Sequence, residues 1–186
     1  MEQVSIREAT CYEDYAQMSK IHAEGWRKAY VDAIPKDFME REITDDRWIP
    51  FFQETFSTGV NHGLLVYDGD KPVCCACYGP ARIEAGPQSG TVCKFQSKEY
   101  VGWGEVISFY TLPEQTGKGY GSLLMEEVLH RLKQDGFTKC FLYVLRENEG
   151  ARRFYERHGF TWNGTYEEIP FPPDTVCIDL RYTRDL

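Results

Sequence analysis

"LPEQTGKGYGSLLMEEVLHRLKQDG", residues 112–136, carries Gly117, Gly119 and Gly121 at alternate positions, and an amphipathic helix pattern begins directly after them. Glycine loses the most backbone freedom on ordering, so three of them at a helix start need a reason. Known phosphate loops supply two templates, and both fail. A P-loop requires Gly-Lys-Ser/Thr at its end, whereas Lys118 is followed by Gly119. A dinucleotide fingerprint requires a third glycine that falls on Ser122 or Leu124, depending on the start. What remains is a strand, "EVISFYTL", a glycine-rich turn, and a helix over Ser122 to Asp135 stopped by Gly136. Amides at a helix start lack partners and carry partial positive charge, and glycines let a bulky anion reach them. The segment therefore reads as a phosphate or pyrophosphate site, or else as a tight turn with nothing bound.

Outward from this segment, the chain reads as one domain over residues 1–186. Before it, "VSIREA" alternates as a strand. Thr10 and Glu13 have capping-box spacing and open a helix reaching about Tyr30, with Tyr15, Met18, Ile21, Gly25 and Ala29 on one face. "PKDFMEREI" is a short helix with Pro35 in its first turn, and "DDRWIPFFQETFS" is another, with Trp48, Phe52 and Phe56 one turn apart. "GLLVYDGDKPVCCACYG" is a hairpin turning at Asp68-Gly69, and residues 84–104 read as a long loop. After the segment, "KCFLYVLR" is a strand covered on both faces, "NEGARRFYERHG" a helix stopped at Gly159, and "FTWNGTYEEI" and "TVCIDLRYT" the last two strands.

Composition limits the partners. The formal net charge of -8 argues against a nucleic-acid binder and suits a cationic substrate. No apolar run approaches ~18 residues, so no membrane span is expected. The N-terminus lacks a signal-peptide pattern, and the seven cysteines are an odd number, which points to reduced thiols in a cytoplasmic protein. Cys74 and Cys77 form a C-x-x-C within an apolar strand rather than at a helix start, so they read as small buried hydrophobes. No second ligand pair follows for zinc, and no metal is implied.

"YTLPEQTGKGYGSLLMEEVL" and "LYVLRENEGARRFYERHGF" together resemble the GCN5-related N-acetyltransferase (GNAT) family, and the order of elements fits it over nearly the whole chain. The resemblance implies an α/β fold: a twisted, mostly antiparallel sheet with helices on both faces, in which the fourth and fifth strands are parallel and splayed around acetyl-CoA. Gly119 and Gly121 match the glycines of the family's pyrophosphate motif. Its first position falls on Thr116 rather than Gln or Arg, with Gln115 one place early. Backbone amides from Gly117, Lys118, Gly119, Tyr120, Gly121 and Ser122 remain able to hold the pyrophosphate. The resemblance also assigns Tyr110, Thr111 and Leu112 to pairing with pantetheine, and Asn148 and Tyr155 to the region of the thioester.

Tyr155 suits protonation of the leaving thiolate, although its helix spacing with Ala151 and Phe154 equally suits core packing. Asn148 on its own reads as a helix cap. Glu105, at the start of the strand before the glycine turn, is the candidate base, with a solvated strand-end charge as the alternative. Trp26 and Tyr30, one turn apart on the first helix, are candidates for the acceptor pocket or for the core. The implied function is acetyl transfer from acetyl-CoA to a small-molecule primary amine by direct attack, without nucleic acid or membrane, and compatible with a homodimer. A peptide N-terminal acetyltransferase and a non-catalytic acyl-CoA-binding module remain as alternatives.

Overall fold

The structure, a computed structural model, describes residues 4–82 and 98–186. Seven strands form one sheet in the order β1-β2-β3-β4-β5-β7-β6. In chain order they are β1 (Val4–Glu8), β2 (His62–Asp68), β3 (Lys71–Pro80), β4 (Gly104–Thr111), β5 (Lys139–Leu145), β6 (Thr161–Phe171) and β7 (Thr175–Asp185). Every neighbouring pair is antiparallel except β4 and β5, which run parallel. Five α-helices lie among the described residues: α1 (Tyr12–Ala29), α2 (Lys36–Glu42), α3 (Ile49–Ser57), α4 (Tyr120–Gln134) and α5 (Glu149–Arg157).

Two hydrophobic layers follow from strand alternation. On one face Met18, Ile21 and Trp26 of α1 and Phe52 of α3 pack on Leu65, Cys75 and Cys77. On the other face Leu124, Met125 and Val128 of α4 and Tyr155 of α5 pack on Leu64, Val66, Cys74 and Ala76. The C-x-x-C residues Cys74 and Cys77 thus lie buried on opposite faces of β3, as small core residues that cannot meet. Cys93 and residues 84–97 of the loop expected at 84–104 lie outside the described residues. The rest of that loop holds a single 3-10 turn at Lys98–Tyr100.

Two helix starts differ from the sequence expectation. The first cap is not Thr10 with Glu13: Cys11 takes the extended N-cap conformation, and the Asp14 carboxylate accepts hydrogen bonds from the amides of Thr10 (2.9 Å) and Cys11 (3.2 Å). Asp14 reaches back to the orphan amides from N3, the position a capping box uses, so the cap sits one residue later. Helix α4 begins at Tyr120, two residues before the expected Ser122, with Gly119 as its cap.

The feature that shapes the site is the β4–β5 pair. It is paired only at Gly104–Cys140 and Glu105–Phe141. At Gly104 a Cβ would stand 2.8 Å from the Leu132 side chain, so the glycine lets α4 close onto the sheet there. Immediately beyond, the β3–β4 register shifts between Cys77–Ser108 and Tyr78–Val106, leaving Ile107 as an extra residue on β4. A bulge bends its strand and strengthens the local twist, and here it coincides with the point where β4 leaves β5. Ile107 to Thr111 are accordingly half-buried, while Val73 to Gly79 of β3 are buried throughout.

Candidate active site

The open half of β4 forms one wall of a gap. The Leu112 amide donates to the Val73 carbonyl at 2.9 Å, and Tyr110 pairs with Cys75 two residues earlier. Backbone direction alternates along an antiparallel ladder, so the amides of Tyr110 and Leu112 belong to β3 and those of Phe109 and Thr111 turn toward the gap. Thr111 is therefore the expected strand residue whose backbone is free to meet a ligand. Phe109 is a second, missed because alternation cannot be phased until one strand hydrogen bond is known.

The glycine turn closes one end. Gly117 and Gly119 hold φ of 79° and 92°, a region that L side chains rarely occupy, and a Cβ on either would meet open space. Their role is therefore backbone conformation and an unobstructed approach. The first helical backbone bond of α4 runs from the Leu123 amide to the Gly119 carbonyl, which leaves the amides of Tyr120, Gly121 and Ser122 without helical partners. The first turn of α4 carries no acidic residue and no side-chain cap, so no side chain of that turn neutralises the helix end. These features fit the pyrophosphate of a CoA ester. Thr116 spends its hydroxyl on the Pro113 carbonyl (2.9 Å), Lys118 bonds Gln115 (2.8 Å), and the Tyr120 hydroxyl donates to Asp68 (2.5 Å), which anchors the turn to the β2–β3 hairpin.

Three elements converge beside that turn. A Cβ at Gly121 would lie 3.4 Å from the Phe154 ring and 3.5 Å from the Thr111 hydroxyl, so α4, α5 and β4 meet there. Thr111 also contacts the buried Cys74 thiol at 3.0 Å. Tyr155, on the inward face of α5, sets its ring edge-on to Phe109 with centroids 6.5 Å apart. It is buried. Burial raises its pKa well above the usual tyrosine value, so the hydroxyl keeps its proton throughout the physiological range. Asn148 caps α5, its side-chain oxygen accepting from the Ala151 amide at 3.1 Å. That bond fixes where α5, and with it Tyr155, begins.

On the opposite face α1 crosses β4. A Cβ at Gly25 would stand 2.3 Å from the Tyr110 ring, so only glycine allows this contact. His22 is stacked between Trp48 (4.1 Å) and Tyr110 (4.3 Å). Burial, and secondarily Arg47, lowers its pKa to about 3, which keeps the ring neutral. Trp26 and Tyr30 stack on each other at 4.2 Å and meet Phe171 of β6, both buried in this aromatic layer.

Glu105 is 1 % exposed and sits at the closed end of the gap. Both its oxygens are engaged by Arg82, through the guanidinium at 2.5 to 3.1 Å and through the Arg82 amide at 3.0 Å. Proton transfer through Glu105 requires that pair to open. Among the described residues no cluster of His, Cys, Asp and Glu could hold a metal ion, and no helix is long and apolar enough to cross a membrane.

A sheet that splays between one parallel pair, with free strand amides in the gap and a glycine-capped helix start at its end, defines a CoA-ester-dependent acyltransferase. The chain belongs to the acetyltransferase (GNAT) family, whose family model matches residues 23–160. It is 27% identical over 147 residues to the uncharacterized N-acetyltransferase YuaI of Bacillus subtilis (strain 168), a match covering 78% of this chain and 73% of that one. A shorter match, 38% identical over 56 residues, covers 30% of this chain and 35% of a spermidine N(1)-acetyltransferase of Thermoplasma acidophilum. Among solved structures, the PaiA N-acetyltransferase of Thermoplasma acidophilum, in complex with coenzyme A, superposes with a TM-score of 0.72 at 18% identity, covering 99% of both chains. The ribosomal-protein-alanine N-acetyltransferase of Brucella melitensis gives 0.71 at 17% identity, over 98% of this chain and 99% of that one. The protein is thus an acetyl-CoA-dependent N-acetyltransferase.

Proposed function

We propose that the acceptor is the primary amine of a small molecule, whose nitrogen attacks the thioester carbon of acetyl-CoA directly in the β4–β5 gap. The observation that carries this reading is how the acceptor side is covered. Glu99 and Tyr100 both bond Arg181 on β7, and Tyr100 also accepts from Asn163 at 2.7 Å and packs on Phe141 at 4.7 Å. This bridge from the segment before β4 to β6 and β7 narrows the side on which a peptide would need an open groove. The neighbouring wall of His22, Trp26 and Tyr110 suits a compact acceptor with an apolar body.

Acetyl-CoA supplies the activated acetyl group; the chain supplies everything else. The amides of Tyr120, Gly121 and Ser122 hold the pyrophosphate. The amides of Phe109 and Thr111 orient the pantetheine arm and draw negative charge onto the acetyl oxygen. Tyr155 holds a proton for the departing sulfur. Burial that raises the tyrosine also penalises a thiolate leaving beside it, so the transfer is less uphill than the values in water suggest. The six described cysteines are all free thiols, which supports a reducing, cytoplasmic setting.

The test is an acceptor screen followed by thiol release. Spermidine, an aminoglycoside, an arylalkylamine and tripeptides with free N-termini cover the choices. Turnover with a small amine well above the peptides is expected. Preference for peptides would replace this reading with the peptide acetyltransferase, and CoA binding with no turnover would leave a binding module.

A further inference from the structure

Five buried side-chain polar atoms among the described residues have no hydrogen-bond partner, and four belong to His22, Trp26, Ser108 and Asp179. These four stand on the elements that wall the gap: α1 over β4, β4 itself, and β7 beside β5. Buried polar atoms are almost always paired in folded proteins, so such a grouping marks a place where a ligand completes the bonding.

Asp179 is the only acid of the four. It is 8 % exposed, and its Oδ1 is one of the unpartnered atoms. It pairs across the sheet with Leu145, the last residue of β5, and with Glu167 of β6. Its face is fixed by alternation. Cys177, two residues earlier, bonds the Ala33 carbonyl and belongs to the α1-side core, as does Leu145, while Ile178 and Leu180 belong to the other. Asp179 therefore lies on the acceptor side, at the open end of β5. Charged groups near it among the described residues include Glu147 after β5, which is paired with Arg146, Glu167 of β6, Arg181 of β7 and Glu99 from the covering turn; Cys177 and Tyr143 are further titratable groups on these strands. The one cation close by on the strand, Arg181, is taken up by Glu99, Glu167 and Tyr143.

We propose that Asp179 binds the acceptor's ammonium group and accepts its proton before attack, an assignment that rests on the amine-acetyltransferase reading above. A proton leaves the ammonium nitrogen for Asp179 Oδ1. The freed lone pair forms the N–C bond to the acetyl carbon as the C–S bond breaks, and the sulfur takes the Tyr155 proton. The nitrogen's second proton returns to Tyr155 and the Asp179 proton passes to solvent, so that ammonium and thioester become amide, thiol and one released proton. Burial first, and Glu147 second, raise the Asp179 pKa to about 7, which makes this carboxylate a stronger base than any exposed acid on the surface.

The test uses Asp179→Asn, which keeps the shape and removes the base. Carboxyl-carbon NMR of the labelled wild-type protein should show one aspartate titrating near neutrality, absent from the variant. That titration should move to lower pH when spermidine is added. With the best alkyl amine of the screen, wild-type kcat/KM should rise through neutral pH, and the variant should lose about a hundredfold and that limb of the profile. An aromatic amine, already neutral in water, should lose several-fold less. Calorimetry should give the same acetyl-CoA affinity in both proteins. A variant matching wild type across pH, an equal loss with both amines, or no aspartate titrating near neutrality would overturn the assignment. Absence of turnover in the wild type with every amine would instead overturn the amine-acetyltransferase reading beneath it.

Discussion

Gly119 makes its contribution through a torsion angle. At φ 92° with open space around its missing side chain, it is constrained by conformation and approach rather than by packing. Gly119→Val should therefore leave the core intact, strain the cap by about 1–2 kcal/mol and cover the α4 amides. Acetyl-CoA affinity measured by calorimetry should fall at least tenfold while the fold persists; wild-type affinity in a folded variant would remove the pyrophosphate from this turn. Tyr155 works through its hydroxyl. Tyr155→Phe keeps the ring against Phe109, Phe154 and Phe160, so stability and acetyl-CoA binding should hold while kcat drops ~10²-fold at saturating amine. Unchanged turnover would make it a core residue only. Glu105 is a third kind of case. Glu105→Gln leaves the Arg82 guanidinium facing a neutral amide in a buried site, which costs about 3–5 kcal/mol when the pair was well made. If Glu105 acts by holding Arg82, the loss in kcat/KM should be constant across pH. A loss that shrinks as pH rises would assign Glu105 the proton transfer.

At the scale of elements, α1 is held against β4 by one missing methyl group. Gly25→Ala puts a Cβ where the Tyr110 ring stands, so either the helix lifts or the ring turns out of its stack with His22. Overpacking of this kind costs about 1–3 kcal/mol, which should appear as a lower midpoint in urea, and Gly25→Ala should cost less in a Tyr110→Ala background than in wild type. An equal cost in both backgrounds would mean that the contact does not position the helix. The elements themselves were largely legible in the sequence. Turn residues and periodicity separate the β2–β3 hairpin, the glycine turn with α4, and α5 with its stop at Gly159. What escaped depends on contacts between distant residues. Thr10–Glu13 and Cys11–Asp14 have the same spacing, and only the backbone shows which pair caps α1. Glu105 carries no sign that Arg82, twenty-three positions away, will occupy both its oxygens. Asp179 sits in "TVCIDLRYT", where Thr175, Asp179, Arg181 and Thr183 at alternate positions read as the solvent face of a strand, yet it is buried between β5 and β6.

Across the whole molecule, two buried groups pull stability in opposite directions with pH. Asp179 has a folded pKa of about 7 against 3.8 unfolded. The folded state then binds more protons between those values, so its contribution is fully present below about pH 4 and is lost as pH rises through 7. His22 has a folded pKa of about 3 against 6.5 unfolded. Here the unfolded state binds more protons, so its contribution is present above about pH 6.5 and is lost as pH falls toward 3. Over pH 4 to 6.5 the two slopes oppose each other, and the pair together should leave stability nearly flat. Single substitutions should expose each slope. Relative to Asp179→Asn, wild type should weaken by on the order of 4 kcal/mol between pH 4 and pH 8. Relative to His22→Phe, which keeps a ring between Trp48 and Tyr110, wild type should weaken by on the order of 3 kcal/mol as pH falls from 7 to 4. Urea titrations at half-unit pH steps on the three proteins measure both. Parallel curves for wild type and Asp179→Asn would mean that Asp179 ionises like a surface acid. The acceptor side would then hold no buried carboxyl of raised pKa to meet the cation, and the compensation between the two walls of the gap would vanish with it.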